Sequence, residues 1–356
     1  MLDHLSALAI HAFYAGEHDT GRRACERLLS QSLPPDLERQ TRSNRTWYTR
    51  LLADLVPGAT FRRIEIEPPR HGWSLLNPTI LRHGDELLGI VRSSNYRIEG
   101  GQYLMPDEDE GRILTQNVLV RVDDDLTVRD ARTILDPDYP QNEYPVVGLE
   151  DCRLRHTPTG VGVSACVRNA NGWDGRCRQA IADLDLEAAA FRNLRVLESG
   201  DLQVHEKNWM PVEGRPEWVY AASHQGHTVS VRADDTLAGA YQILQRPPAP
   251  ALAREFRGGS QLVSLPDSGY LAVVHEVADG DAGRIYEHRL VRFDRTLRLT
   301  HASEAFAFRE LRAIEFAAGA AIVADRLVVS FGVRDAEAWL VSLPLGDTCQ
   351  LLAPVS

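Results

Sequence analysis

Gly148-Leu149-Glu150-Asp151-Cys152-Arg153-Leu154 sets two carboxylates and a guanidinium inside an otherwise apolar, strand-like run. Polar side chains in such a run cost free energy unless they face a cavity or one another. The arrangement recurs along the chain: a short strand with a polar insertion, a second apolar run ending in a charged residue or histidine, then a third run. First strands of this kind lie at 77–80, 150–154, 207–211, 258–263 and 315–322. Second runs lie at 87–92, 161–168, 218–224, 270–275 and 327–334, and third runs at 117–122, 178–184, 228–231, 288–293 and 338–343. Multi-stranded units repeated at this period predict a propeller, not a sandwich. The expectation is an all-β, five-bladed β-propeller preceded by a small α-helical N-terminal segment, with boundaries at 1–58 and 59–356.

A chain of 356 residues buries a core large enough for one propeller and a small accessory segment. Its formal charge of -11, with no Lys/Arg-rich run, argues against a phosphate-backbone partner, so no nucleic acid is expected. No apolar stretch approaches the roughly 20 residues that span a bilayer. The first 15 residues contain Asp3, His4 and His11 and no basic stretch, which predicts an amphipathic helix rather than a signal peptide. The five cysteines, Cys25, Cys152, Cys166, Cys177 and Cys349, show no CxxC spacing. Free thiols in a reducing cytoplasm are the simplest reading, with no metal and no cofactor required.

Leu5, Leu8, Ala9 and Ala12 recur at helical spacing, and Ala24, Leu28 and Leu29 mark a second helix that Pro34-Pro35 stops. Asp36 is placed to cap a third helix running to about Val56, ended by Pro57-Gly58. Tyr14, Gly16 and Ala24 resemble the spacing of a single tetratricopeptide unit, which cannot bury its own apolar face and must pack on something. The segment 93–112 is too long for a tight hairpin, and 136–147 and 169–175 are further long connections, a common setting for function.

In a propeller the innermost strands line a central channel, so polar residues at strand starts converge from far apart. First strands and the ends of second strands supply Asn77, Arg92, Glu150, Asp151, Arg153, Arg168, Lys207, Asn208, His224, Gln261, His275, Glu276, Glu315, Arg334 and Asp335. This mixture of acids, bases and amides suits a polyhydroxylated ligand that carries or meets an anion. Asp151 is the candidate general acid, with burial and Glu150 available to raise its pKa. A structural Asp-Arg pair with Arg153 is the competing reading. Arg168, Lys207 and His275, with Arg92, form a candidate oxyanion site. Glu206, Glu276 and Glu315 are candidate bases for activating water. Among Trp73, Tyr96, Tyr103, Trp173 and Trp209, the pair Tyr96 and Trp209 adjoins polar channel positions and is expected to stack on sugar.

Asn77-Pro78, Glu150-Asp151-Cys152-Arg153, Lys207-Asn208-Trp209-Met210-Pro211, Val274-His275-Glu276 and Phe316-Ala317-Ala318-Gly319 together resemble the blade-start and channel motifs of the five-bladed β-mannoside phosphorylases, glycoside hydrolase family 130, and of the related β-1,2-mannosyltransferase/phosphorylases. The resemblance runs in order from about Ser74 to Leu352. It implies that Asp151 is the proton donor, acting through a substrate hydroxyl, that Arg153 helps hold the sugar, and that Lys207 and His275 contact phosphate or sugar. Asn77, Arg92, Tyr96, Glu150, Asn208, Trp209, Gln261, Glu315 and Asp335 are the remaining candidate sugar contacts. Phosphate then attacks the anomeric carbon with inversion to give a sugar 1-phosphate. The partners implied are a small sugar or oligosaccharide with inorganic phosphate or sugar 1-phosphate.

Three residues depart from the pattern: Cys152 stands for proline, Glu206 for aspartate and Glu276 for glycine. A carboxylate at 276 beside phosphate would repel it by about 4 kcal/mol at 4 Å and an effective dielectric near 20. The helical leader resembles segments of bacterial glycosyltransferases and tilts the reading towards glycan synthesis. Three functions therefore stand: an inverting phosphorylase or glycosyltransferase, a glycoside hydrolase on the same scaffold, and a silent glycan-binding propeller.

Overall fold

The computed structural model describes residues 2–170, 175–197, 205–233, 241–266, 269–280 and 283–355, so Trp173 and part of the 169–175 connection lie outside the described residues. About half of the chain is β-strand, in sheets set like the blades of a propeller. Ser74–His83, Glu86–Ser94, Ile113–Val122 and Val128–Thr133 pair in sequence order, as do Glu150–Thr157, Gly160–Val167, Arg178–Asp185 and Ala190–Val196. Met210–Pro211, Trp218–His224, His227–Ala233 and Tyr241–Pro248 form the next sheet. A larger sheet is built on the long hairpin Tyr270–Gly280 and Gly283–Phe293. Glu315–Val323, Arg326–Val333 and Glu337–Pro344 make the last sheet, and its outermost strand, Thr60–Arg63, comes from the other end of the chain. Thr60 lies opposite Ser342 and Arg63 opposite Trp339, so this pairing closes the ring and covers an edge that would otherwise be open.

The inner strands share one irregularity, and it positions the site. Leu76 pairs with Arg92, yet the next registered pair is Thr79 with Ile90, which leaves Asn77-Pro78 out of the ladder. Glu150 pairs with Cys166 and Arg153 with Ser164, leaving out Asp151-Cys152. Ala317 and Gly319 flank a similar shift. The φ angles are 43° at Asn77, 48° at Asp151 and 63° at Asn208. Asn and Asp are the side-chain-bearing residues that tolerate this left-handed region best. A bulge takes a side chain out of the in-out alternation of its strand and re-aims it. Close packing holds these turns in place: a Cβ on Gly258 would strike the Asn208 carbonyl.

Helices α1 (Leu2–Tyr14) and α2 (His18–Leu29) agree with the sequence periodicity. Helix α3 (Pro35–Arg45) does not run to Val56, and it starts one residue before Asp36, with Pro34 at the N-cap position and no side-chain cap. After Arg45 the chain turns, and Arg50–Leu51 pairs in parallel with Phe306–Ala307. The apolar face of the helices is covered. Leu5, Ala9, Ala24 and Leu28 share a core with Tyr270, Ala272, Val274 and Val291 of the large sheet.

Charge fixes this docking as well. Glu276 accepts hydrogen bonds from Arg42 Nη1 (2.6 Å) and Arg289 Nε (3.2 Å), and Arg45 Nη2 lies 2.6 Å from its second oxygen. Arg45 also reaches Glu287 at 2.6 Å, and Arg289 reaches Glu26 at 2.7 Å. All of these side chains except Glu26 are buried. The Glu276 carboxylate therefore points away from His275 into the helix interface, which removes the expected repulsion at an anion site. Adjacent residues on a strand face opposite sides. No helix among the described residues is long and apolar enough to cross a membrane.

Candidate functional site

The re-aimed bulge residues Asn77, Asp151 and Asn208 meet in one cleft of about 590 Å³. Of the sequence candidates, Asn77, Arg92, Tyr96, Glu150, Asp151, Arg168, Lys207, Asn208, His275 and Asp335 line it. Arg153, Trp209, Gln261 and Glu315 do not, and each is engaged elsewhere.

Arg153 is buried, donating from Nε to the Gly259 carbonyl (2.7 Å), from Nη1 to the Asp151 carbonyl (3.0 Å) and from Nη2 to Asn208 Oδ1 (3.3 Å). It ties three inner strands together beneath the cleft and so holds two of the left-handed residues in place. Trp209 is 1% exposed and packs in a core with Trp218, Tyr220 and Val231, so it offers no face to a sugar. Gln261 donates to the Ile80 and Ala320 carbonyls, both at 2.6 Å, and lies on a second cavity lined by Arg82 and His156, at the far ends of the inner strands. Glu315 accepts the backbone N–H groups of Phe308, Arg309 and Glu310. Burial lifts its carboxyl to about 7, opposed by those hydrogen bonds. Glu206 is buried and accepts the Tyr220 hydroxyl at 3.0 Å. None of the three expected water-activating bases, Glu206, Glu276 and Glu315, lines the cleft.

Arg92 organises the acids. Its Nη1 donates to Asp151 Oδ1 (3.0 Å), its Nη2 to Glu150, and its Nε to Thr115 (3.3 Å). Asn77 Nδ2 donates to the same oxygen of Asp151 at 2.9 Å. Burial alone would raise the Asp151 pKa, but Arg92, Asn77 and Arg153 together hold it below the usual carboxylate value. This reverses the expected upward shift: burial is the largest single influence, and only the sum of the Arg92, Asn77 and Arg153 contributions overcomes it. Asp335 is opposite in character: burial raises its pKa and the charge of Asp151 adds to the rise, against Arg92 and the Tyr96 hydroxyl, which donates to it at 2.9 Å. One cleft thus holds one carboxyl biased towards ionisation and one biased towards protonation.

The cations outnumber the acids. Arg92, Arg168, Lys207, Arg257 and Arg284 line the cleft against Glu150, Asp151 and Asp335, in a chain of net charge -11. Arg168 donates to the Tyr144 hydroxyl at 3.1 Å and lies 4.0 Å from a Glu150 oxygen, whereas neither Lys207 nor Arg257 forms an ion pair among the described residues. His275 is not among the cations. Burial, then His288, Arg257, Arg153 and Lys207, push its pKa well below the ordinary value, so the imidazole is neutral. It stacks on Tyr286 with centroids 5.1 Å apart.

Sequence reasoning missed Arg257, Arg284 and Tyr286 as lining residues, and gave Phe316 only as part of a motif. Arg257 directly precedes the Gly258 strand start, a position the repeat pattern marks. Arg284 and Tyr286 come from the hairpin that extends the large sheet over the cleft, and no periodicity signals that. Within 93–112, Arg97–Glu99 and Gln102–Leu104 pair as a ribbon, and Ile98, Gly101 and Tyr103 from it form part of the cleft wall.

No protein-family model matches the chain, and no curated protein matches it in sequence. Solved structures do match in fold. The β-1,2-mannobiose phosphorylase of Listeria innocua, in complex with β-1,2-mannobiose, superposes with a TM-score of 0.52 at 14% identity, over 85% of this chain and 98% of that one. A glycosyl hydrolase from Bacteroides ovatus gives 0.53 at 12% identity, over 86% and 99%. A structure from the mannoside phosphorylase family 130, described as containing glycoside hydrolases that target β-1,2-mannosidic linkages in Candida mannan, gives 0.52 at 12%, over 83% and 96%. With its ring of sheets and its cleft at the inner-strand bulges, this chain has the fold of the glycoside hydrolase family 130 mannoside phosphorylases.

Proposed function

We propose that the protein is an inverting glycosyl-transferring enzyme, a phosphorylase or glycosyltransferase for β-mannoside-type sugars, in which residues 59–356 form a five-bladed propeller and 1–58 an accessory helical segment. The observation that carries this reading is the presence, in one cleft, of two carboxyls with opposed pKa shifts beside Lys207 and Arg257, cations that form no ion pair among the described residues. Opposed pKa shifts in neighbouring acids are the usual mark of divided proton-transfer roles.

In this reading Lys207, Arg257 and Arg168 hold the anion, phosphate or the phosphate of a sugar 1-phosphate, by charge-assisted hydrogen bonds. Tyr103 and Tyr286 offer ring faces to the sugar, in place of Trp209. Neutral His275, Asn77 and Asn208 bond its hydroxyls. Both hydrogen bonds to Asp151 fall on Oδ1, which leaves Oδ2 for a substrate hydroxyl. In synthesis the ionised Asp151 takes a proton as the acceptor oxygen bonds to the anomeric carbon and the bond to phosphate breaks. In phosphorolysis the same group returns that proton to the departing oxygen while phosphate attacks from the opposite face.

Incubating the protein with β-mannosides and inorganic phosphate tests this. Sugar 1-phosphate of inverted anomeric configuration, followed by NMR, is the expected product. Free sugar released at a rate independent of phosphate would replace the reading with hydrolysis. Tight glycan binding without turnover would replace it with a binding propeller.

The cleft continues past Ile98, Gly283, Arg284 and Ile314 into a neighbouring space of about 400 Å³ that Trp47, Arg312 and Arg334 also line. The Arg312 guanidinium sits 3.7 Å from the centroid of the Trp47 ring, which is half exposed. Trp47 belongs to the helical segment, so the leader extends the sugar path. Trp47→Ala is expected to raise KM for tri- and longer saccharides by up to about tenfold, the worth of one aromatic stack, and to leave the shortest substrate unchanged. An equal effect on every chain length would remove Trp47 from the path.

A further inference from the structure

Two thiols meet on the wall of the cleft. Cys166 lies in strand Gly160–Val167 and Cys177 directly precedes strand Arg178–Asp185. The register sets Val167 opposite Arg178 and Cys166 opposite Gln179, so positions 166 and 177 share a face one diagonal step apart. Both are free and buried, both line the cleft, and their sulfhydryls are hydrogen-bonded to each other. Cys177 is also fixed from behind: its N–H donates to His205 Nδ1 (3.2 Å) and its carbonyl accepts the Glu206 N–H (3.0 Å).

We propose that Cys177 and Cys166 form an oxidant-responsive dithiol, with Cys177 the attacking thiolate and Cys166 the resolving thiol, that closes to a disulfide on the wall of the cleft. Peroxide is the oxidant. The Cys177 thiolate attacks one peroxide oxygen, an S–O bond forms, the O–O bond breaks, and hydroxide leaves and is protonated to water. The Cys166 sulfur then attacks the sulfenic sulfur, the S–S bond forms, the S–O bond breaks, and a second water leaves with the Cys166 proton. Two thiols and one hydrogen peroxide give one disulfide and two waters, the sulfurs supplying both electrons.

The surroundings select this pair. The hydrogen bond from Cys166, with Arg168 and Lys207 nearby, lowers the Cys177 thiol to about 7 against burial and Glu150. Burial pushes Cys25 up to about 12 and raises Cys152 as well, so those thiols stay protonated and inert. The chemistry does not depend on the reaction assigned to the cleft.

The test uses the full chain treated with stoichiometric hydrogen peroxide and read by intact mass and by a non-reducing peptide map. The expected result is the loss of two hydrogens, a 166–177 cross-link and its reversal by dithiothreitol. Limiting iodoacetamide on the untreated protein is expected to label Cys177 before Cys25 or Cys152. Cys166→Ser is expected to stop at a Cys177 sulfenic acid that dimedone traps. A cross-link between any other pair, or labelling of Cys25 or Cys152 first, overturns the proposal. The two wild-type measurements decide it even if the variant fails to fold.

Discussion

Asp151→Asn is expected to lower kcat/KM for glycosyl transfer by at least about 100-fold, the lower end of what a positioned proton-transfer group contributes. The substitution is nearly silent structurally. Asparagine tolerates the left-handed backbone at 151, and the cleft wall made by Arg92 and Asn77 is unchanged in shape. Thermal unfolding should therefore move little while turnover falls, and that separation is the diagnostic. Asp335→Asn is the comparison, because an amide replaces a carboxyl already biased towards its neutral form. A smaller loss is expected there, with a changed pH profile. If Asp335→Asn removes activity and Asp151→Asn keeps it within tenfold, the two roles are exchanged.

The second large effect concerns stability. Glu276→Gln leaves Arg42, Arg45 and Arg289 buried without the carboxylate they share, and breaking a buried ionic cluster in this way costs about 3–5 kcal/mol. Denaturant unfolding should show it as a lower midpoint. The pH dependence follows from the sign of the shift. Burial alone would raise the Glu276 pKa, but the three arginines hold it below the ordinary 4.5. Its contribution is therefore fully present above that value and is lost as pH falls through the lower folded value. The wild type should lose stability in acid more steeply than Glu276→Gln. Because the cluster is buried, added salt should weaken it little. A variant as stable as the wild type would mean that hydrophobic contacts of α1 and α2 alone seat the leader.

Much of this arrangement can be read from residue order, and the failures have a common cause. Asn77, Glu150, Asp151, Lys207 and Asn208 were legible because a polar residue at a strand start, repeated unit after unit, has few places to go except the axis. The side of the strand was not legible where two polar residues adjoin. His275 and Glu276 are neighbours of opposite parity, one in the cleft and one in the helix interface. Parity also separates Asn208 from the buried Trp209. Gln261 and Glu315 sit near strand starts as expected, yet backbone groups of neighbouring strands and turns consume their hydrogen-bonding capacity. The early end of α3 was hidden for a related reason: Arg42 and Arg45 look like a solvated helix face, and only the acids Glu276 and Glu287 of the large sheet turn it into an interface.

The left-handed turns at 77, 151 and 208 have a consequence for how such a cleft diversifies. Asparagine and aspartate are nearly isosteric and both accept this backbone, so exchanging one for the other changes the floor by a whole unit of charge while the chain keeps its path. With Asp151 kept for proton transfer, the two sockets at 77 and 208 permit four charge patterns on one scaffold. The charge of such a cleft can therefore be retuned by single codon changes, with no strand having to find a new partner.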